Sequence, residues 1–380
     1  MRFAVYTDYT YHLREGDPYA ERAFAVFIAR LAPRFERLVV LGRLDPTPSR
    51  SRYPLGPEVD FVPLPYYRSL ADPWSAMRSM GMAARRFWIT LGGVDGVWLL
   101  GPNPFAIVFA LLATLRRRKV VLGVRQDYPE YVRARHPRRR GIHALAAILD
   151  ATFRGLARLH PVVVVGPQLT RAYGEASSVL EIAVSLVDAD QIVSLESAAQ
   201  RSYDGELRVL SVGRLEEEKN PLLLAAVLDR LRAGGRRWRL VICGEGPMRP
   251  ALEAELERLG LAADVELLGY VPHDKGLAEL YRGSHALLHV SWTEGLPQVL
   301  LEAFAAALPA VATDVGGVRE AVGEAVRLVP AGDPDRAATE LEALAASPAL
   351  RAKLVQAGHS YVSARTLALE SSRVAAFLLR

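Results

Sequence analysis

Cysteine is almost absent from this 380-residue chain: Cys243 stands alone, so no internal disulfide can form. The fold must be held by its core, and the expected setting is reducing. Lysine is nearly as scarce. Only Lys119, Lys219, Lys275 and Lys353 occur among 47 basic residues, so arginine is the default cation and a lysine at a motif position carries extra weight. Long apolar runs are missing too. The most apolar helical stretch, Phe105 to Leu115, is cut off by Arg116-Arg117-Arg118-Lys119. That is well short of the ~20 residues that cross a bilayer, so no transmembrane helix is expected. The opening Met1-Arg2-Phe3-Ala4-Val5-Tyr6-Thr7-Asp8 reads as a first strand and lacks the apolar region of a signal peptide. The expected location is cytoplasmic, with peripheral attachment to the inner face of a membrane as an extension of that reading.

What is present points to two domains. Hydrophobic residues make up 51% of the chain, and domains of roughly 100–200 residues imply two cores. Charge divides between the halves. Residues 1–190 hold 26 Lys+Arg and 17 Asp+Glu, hence +9, and residues 191–380 hold 21 and 25, hence −4. Only the first half is suited to an anionic partner. Short β-branched runs alternate with amphipathic stretches throughout, the pattern of parallel sheets with crossover helices. The expected fold class is α/β: two Rossmann-like, doubly wound domains facing a cleft. The boundaries read as 1–196 for the first domain and 207–360 for the second. The polar run 197–206 reads as a linker, and a helix within 361–380 packs back on the first domain.

The second half carries the chemistry. Glu294-Gly295-Leu296-Pro297-Gln298-Val299-Leu300-Leu301-Glu302 places two glutamates, with seven residues between them, at a loop-to-helix junction. Pro297 suits the first helical position. Both carboxylates then border a helix N-terminus, which attracts anions, and carboxylates are natural acceptors for sugar hydroxyls. Gly213-Arg214-Leu215-Glu216-Glu217-Glu218-Lys219 follows a strand, and Arg214 and Lys219 there are suited to clamping a diphosphate. Gly244-Glu245-Gly246-Pro247 allows close backbone approach to a ligand but lacks the third glycine of the dinucleotide fingerprint. Thr313-Asp314-Val315-Gly316-Gly317 is a further turn after a strand.

In this order, with the turn Gly269-Tyr270-Val271-Pro272, these segments resemble glycosyltransferase family 4, the retaining group 1 transferases of GT-B fold, over about residues 207–332. The resemblance implies a metal-independent transferase that takes a nucleotide-diphosphate sugar, UDP- or GDP-linked, and needs no cofactor. It places Arg214 and Lys219 on the diphosphate and Glu294, the catalytic candidate, on the donor sugar. Gly244, Gly246 and the backbone from Gly295, Leu296 and Pro297 to Val299 line the donor site. Glu302 meets the ribose, and Tyr270 and Val271 the base. It further implies a glycan or lipid-linked acceptor and a place in cell-surface polysaccharide or glycoconjugate biosynthesis.

Departures concentrate in the first half. The loop at Asp8–Gly16 has one glycine where the family has a pair. The segment Gly123–Tyr131 has no histidine, leaving Arg125 and Asp127 as polar candidates, Asp127 for catalysis. Ala307 replaces a family glycine at a helix end, read as a packing change. Asp188-Ala189-Asp190 and Asp333-Pro334-Asp335 read as structural, so no metal ligand is assigned. The basic run Arg133–Arg140, followed by helically spaced apolar residues from Ile142 to Leu156, fits an anionic membrane surface. No nucleic-acid motif appears. The alternatives are a nucleotide-sugar isomerase or phosphorylase of the same architecture, a non-catalytic nucleotide-sugar binder, and a nicotinamide-dependent dehydrogenase, against which the missing glycine fingerprint argues.

Overall fold

A computed structural model of the chain describes residues 1–47, 53–68, 73–272 and 276–380. The chain divides into two units, Met1–Val184 with Leu367–Arg380, and Ser185–Thr366.

The first unit is built on a sheet whose parallel strands lie in the order Val59–Leu64, Arg37–Leu44, Arg2–Arg14, Gly96–Gly101, Lys119–Val124, Val162–Val165, Val179–Ile182. Val162–Val165 is buried at every residue, as befits a strand covered on both faces. Helices Pro73–Thr90, Pro104–Leu115 and Arg140–Ala157 send Phe87, Phe109 and Phe153 into the core under them. The rings of Phe87 and Phe109 stack at 4.1 Å, and Tyr6 meets Phe109 edge-on at 4.8 Å.

Two expectations change here. The loop anticipated at Asp8–Gly16 is strand: Arg2–Arg14 runs on, shifts register between Tyr6 and Thr10, and turns back into antiparallel Asp17–Ala20. Tyr9, Thr10 and Tyr11 are strand formers, and the Tyr11 ring fills the space over Gly42, where a Cβ would lie 2.1 Å from it. The sequence predicts a helix over about Tyr19–Ala32; with Tyr19 and Ala20 drawn into that hairpin, it shrinks to Phe24–Ala29. Helix Tyr128–Arg135 was not anticipated.

The second unit holds a six-stranded parallel sheet in the order Val265–Gly269, Trp238–Cys243, Leu207–Val212, Ala286–His289, Ala310–Thr313, Val326–Val329. The sequence predicts these strands at Leu207–Val212, Arg239–Cys243, Val265–Leu268, Ala286–Val290, Ala310–Thr313 and Val326–Val329, within a residue of the observed ends. The chain builds outward from Leu207–Val212 on one side, then returns to build on the other. The strand order therefore reverses between Leu207–Val212 and Ala286–His289, and ligands in such sheets bind at the carboxyl ends of the strands flanking that point.

The segment read as a linker packs into the second unit. Arg201 donates to the carbonyls of Ala307 and Ala306 at 2.6 and 3.0 Å, and Tyr203 Oη to the carbonyl of His285 at 2.7 Å. The sequence predicts two helices after Ala346, the last over Tyr361–Leu379; they are Pro348–Ser363 and Leu367–Leu379. The last helix belongs to the first unit: buried Glu370 accepts the Ala183 N–H at 3.1 Å, and Lys119 Nζ donates to the Leu378 carbonyl at 2.8 Å. Helix Lys275–Arg282 is observed as Ala278–Arg282, and Lys275 lies outside the described residues.

Ala307 is more than a packing change. It closes helix Gln298–Ala305 with φ of 48°, the left-handed conformation a glycine takes without cost. The Leu308 N–H reaches back to the Ala303 carbonyl at 2.8 Å, completing the cap. Ala307→Gly is expected to raise unfolding stability by about 0.5–1 kcal/mol in urea melts, relief of strain outweighing the entropy of the new glycine.

Candidate functional site

The reversal point brings together the loops that follow Leu207–Val212 and Ala286–His289. The first is Gly213–Pro221, with a short 3-10 turn at Glu217–Lys219, and the second leads through Glu294 into helix Gln298–Ala305. Backbone bonds join them, the Trp292 N–H donating to the Glu218 carbonyl at 2.9 Å. A shallow pocket opens here, lined by Gly213, Arg214, Lys219, His289 and Ser291 among others.

Glu294 is the hub. Its Oε1 accepts from Lys219 Nζ at 2.5 Å, Ser291 Oγ at 2.7 Å and His289 Nε2 at 2.9 Å. Its side chain is only 11% exposed. Burial by itself opposes the charged carboxylate, but the Lys219 ammonium and the His289 hydrogen bond outweigh burial and hold the carboxyl well below the usual range. The site thus keeps a fixed anion and a fixed cation in contact at neutral pH. Sequence reading gave Lys219 and Glu294 separate tasks; the structure pairs them. His289 and Ser291 went unnoticed, although the spacing His-x-Ser-x-x-Glu at a strand's end was the available signal.

Arg214 is held as well. Its guanidinium pairs with Glu216 and with Glu218 Oε1 at 3.2 Å. Glu218 is buried; burial, then the neighbouring Glu216 carboxylate, pushes its carboxyl upward. The fork is therefore preoriented by two acids of its own loop.

The glycines Gly244 and Gly246 also have a packing role. A Cβ on Gly244 would lie 1.7 Å from the Gly213 carbonyl oxygen, and one on Gly246 would lie 2.3 Å from that of Leu215. The two loops lie in contact: the Gly213 N–H donates to the Cys243 carbonyl at 2.9 Å and the Leu215 N–H to that of Glu245 at 3.0 Å. Gly244 and Gly246 are needed because another backbone passes there. The Gly244 N–H also reaches the Gly269 carbonyl at 2.7 Å, which sets the half-buried turn Tyr270-Val271 beside this pair.

Pro297 precedes the helix as its N-cap, with ψ of 123°, and Gln298 is the first helical residue. The one-residue offset has little consequence, since proline needs no N–H partner at either place. Leu296 and Pro297 are buried, and Gly295 and Val299 half-buried. Glu302 sits on the second turn, where its Oε2 accepts from Tyr281 Oη at 2.6 Å. Burial, then Glu302, pushes the Tyr281 phenol upward, so it stays a donor. Tyr281→Phe removes a bond to a charged group worth roughly 1.5–3 kcal/mol when fully made. We expect a loss near the lower end, read from urea melts. Gln298 Nε2 is buried with no hydrogen-bond partner among the described residues.

Asp127 lies in the first unit and shares no unit with Glu294. Its Oδ1 caps helix Tyr128–Arg135 by accepting the Glu130 N–H at 2.9 Å. Arg125 stacks on Phe24 at 4.3 Å and donates to Tyr9 Oη. A polar cluster missed in the sequence stands by the first strand, where Arg43 Nε is 3.3 Å from Asp8 Oδ1 and Tyr67 Oη donates to that oxygen. Burial raises the Asp8 carboxyl, with Arg43 opposing. Of the Asp-x-Asp pairs, Asp188 forms a capping box with Gln191, and Asp333 caps helix Pro334–Ala346.

Comparison with known proteins agrees with this geometry. Residues 194–361 match the family described as glycosyl transferases group 1. Over 114 residues, 30% of this chain and 25% of the relative, the chain is 40% identical to the phosphatidylinositol N-acetylglucosaminyltransferase gpi3 subunit of Schizosaccharomyces pombe. Over 151 residues, 40% of this chain and 42% of the relative, it is 34% identical to the amylovoran biosynthesis glycosyltransferase AmsD of Erwinia amylovora. The chain thus spans less than half the length of either relative. Among solved structures, Anabaena HepE in complex with UDP-glucose superposes with a TM-score of 0.70 at 16% identity, covering 100% of both chains. The fold of this chain is accordingly GT-B, two Rossmann-like units in succession. Its segment 194–361, with the Lys219–Glu294 pair at the strand-order reversal, is similar to the glycosyl transferases of group 1.

Proposed function

We propose that this protein is a metal-independent, retaining glycosyltransferase acting on the cytoplasmic side. It moves a sugar from a nucleoside-diphosphate sugar to a glycan or lipid-linked acceptor in cell-surface polysaccharide or glycoconjugate biosynthesis. One observation carries the proposal: a buried carboxylate and a lysine held in contact at the reversal point, beside a helix N-terminus.

The donor's diphosphate meets Lys219, Arg214 and the unpaired N–H groups of the first turn of helix Gln298–Ala305, with Gln298 Nε2 a further donor. These groups stabilise the negative charge that grows on the departing diphosphate. Glu294 accepts hydroxyls of the donor sugar, Glu302 those of the ribose, and the Tyr270-Val271 turn lies against the base. The sugar's anomeric carbon loses its bond to the phosphate oxygen and gains one to the acceptor oxygen on the same face. The leaving phosphate takes the acceptor's proton. Glu294 and Glu302 are binding groups in this scheme, so the two-carboxylate template of glycosidases does not apply. The UDP-glucose complex of HepE supports a sugar-nucleotide donor, and makes UDP the first nucleotide to try.

The test is incubation with UDP-glucose, UDP-N-acetylglucosamine and GDP-mannose over an acceptor panel, with nucleoside diphosphate release measured and product configuration read by proton NMR. Acceptor-dependent release with retained configuration is expected. Inversion would refute the retaining mechanism. A folded protein that binds a donor yet consumes none with any acceptor would be a sugar-nucleotide binder.

A further inference from the structure

The outer surface of the three-helix layer on the first unit does not look like an ordinary solvated face. Helix Pro73–Thr90 packs on Pro104–Leu115, which packs on Arg140–Ala157, and all three send their inner faces into one core. Their outer faces should be polar. On the first, Trp74 is 75% exposed and Met77 67%, and Met82 and Ile89 continue the same stripe. On the second, Leu111 and Leu115 face outward, the latter 73% exposed. On the third, Leu145 and Ile148 do so, with small residues between their turns. Isolated exposed apolar residues need no explanation, but a set on three adjoining helices does.

The charge on this surface has one sign. From residue 73 to residue 126 the only acid is Asp95, which is ion-paired to Arg2 at 3.0 Å. The one acid of helix Arg140–Ala157, Asp150, is buried and paired with Arg154 at 2.7 Å. Arg78 and Arg85 are exposed within the Trp74 stripe, and Arg117 and Arg138–Arg140 flank the other two helices. Among the described residues, none of these exposed arginines has an ion-pair partner. No helix among the described residues is long and apolar enough to cross a membrane.

We infer that this face is a docking surface for an anionic lipid bilayer, with Trp74, Met77 and the neighbouring apolar residues entering the interface and the arginines meeting lipid phosphates. Apolar residues interleaved with arginine on the outward side of amphipathic helices are what interfacial binding requires. A second copy of the chain fits less well, since a symmetric contact would press like arginines together. The inference extends the basic run Arg133–Arg140 to a whole face, and it stands independently of the transfer chemistry.

The test is flotation of the full chain with vesicles of phosphatidylcholine alone or with 40 mol% phosphatidylglycerol, at low and physiological salt. Binding to the anionic vesicles is expected, weakening as salt rises. Trp74→Ser with Met77→Ser, and separately Leu145→Ser with Ile148→Ser, should each cut the partition coefficient about tenfold or more. Arg78→Gln with Arg85→Gln should weaken binding and flatten its salt dependence. Arg258→Gln, on the second unit, should bind as the parent does. These positions are exposed, and thermal melts matching the parent will show that the variants fold. The inference is overturned if anionic vesicles are not bound, or if the apolar pairs can be exchanged without effect. It is equally overturned if the patch instead supports a dimer that the Trp74 variant dissolves.

Discussion

Glu294→Gln should lower kcat by about 10²–10³-fold while leaving the fold intact. The amide keeps the shape of the side chain but loses the charge that three donors converge on, from Lys219, Ser291 and His289. Two consequences combine. Glutamine has a single oxygen, and once it is spent on Lys219 the remaining amine cannot accept a sugar hydroxyl. The lysine also loses its orienting anion, so its approach to the diphosphate is less well defined. Hydrogen bonds to charged groups are worth roughly 1.5–3 kcal/mol each, and 1.36 kcal/mol is a factor of ten in rate. Steady-state kinetics at saturating donor, with a melt to confirm folding, checks the prediction. A variant within threefold of the parent would remove Glu294 from the chemistry.

The second large effect concerns stability. Lys219→Met leaves Glu294 buried with hydrogen bonds but without its counter-charge. Breaking a fully buried ion pair costs roughly 3–5 kcal/mol. Lys219 is 23% exposed, so we expect about 2–3 kcal/mol at pH 7. The pH dependence identifies the cause. In the parent the Glu294 carboxyl lies below its unfolded value of 4.5. Its stabilisation is therefore full above that value and is lost as pH falls toward the folded pKa. In the variant, burial is opposed only by the weaker groups, so the carboxyl moves up and folding no longer gains from ionisation. The stability difference should be largest near neutrality, narrow as pH falls below about 4.5, and close only toward the folded pKa. Urea melts at pH 7 and pH 4 test this. An equal deficit at both would make the loss a packing effect.

How far the sequence could be read varies with how local the signals are. The six strands of the second unit were legible because each is a short apolar run bounded by Gly, Pro or charge, and parallel strands announce themselves that way. The site was legible as segments, because Gly213–Lys219, Gly244–Pro247 and Glu294–Glu302 each follow a strand. Their mutual arrangement was not. That Lys219 and Glu294, 75 residues apart, share a hydrogen bond depends on which strands are neighbours. That Gly244 and Gly246 exist to admit the backbone of Gly213 and Leu215 depends on the same adjacency. In the first unit, Tyr9–Tyr11 looked like loop because aromatic and polar residues follow Thr7 without a gap. Only the space over Gly42, filled by Tyr11, makes them strand. Ala307 shows the converse. A departure that looks harmless in sequence is costly in conformation, because the left-handed cap is a backbone property that alanine does not signal.

The central claim is that the loops around Lys219, Glu294 and Glu302 form a nucleoside-diphosphate site, and thermal stabilisation tests it most directly. The parent, Arg214→Ala and Glu302→Ala would be melted with UDP, GDP, ADP and NAD. At ~100 times its dissociation constant a ligand adds about 2.7 kcal/mol, which a melt resolves easily. The account predicts a shift with one nucleoside diphosphate, UDP first, that both substitutions abolish or sharply reduce. A shift with NAD alone, or none with any nucleotide for a folded protein, would contradict it.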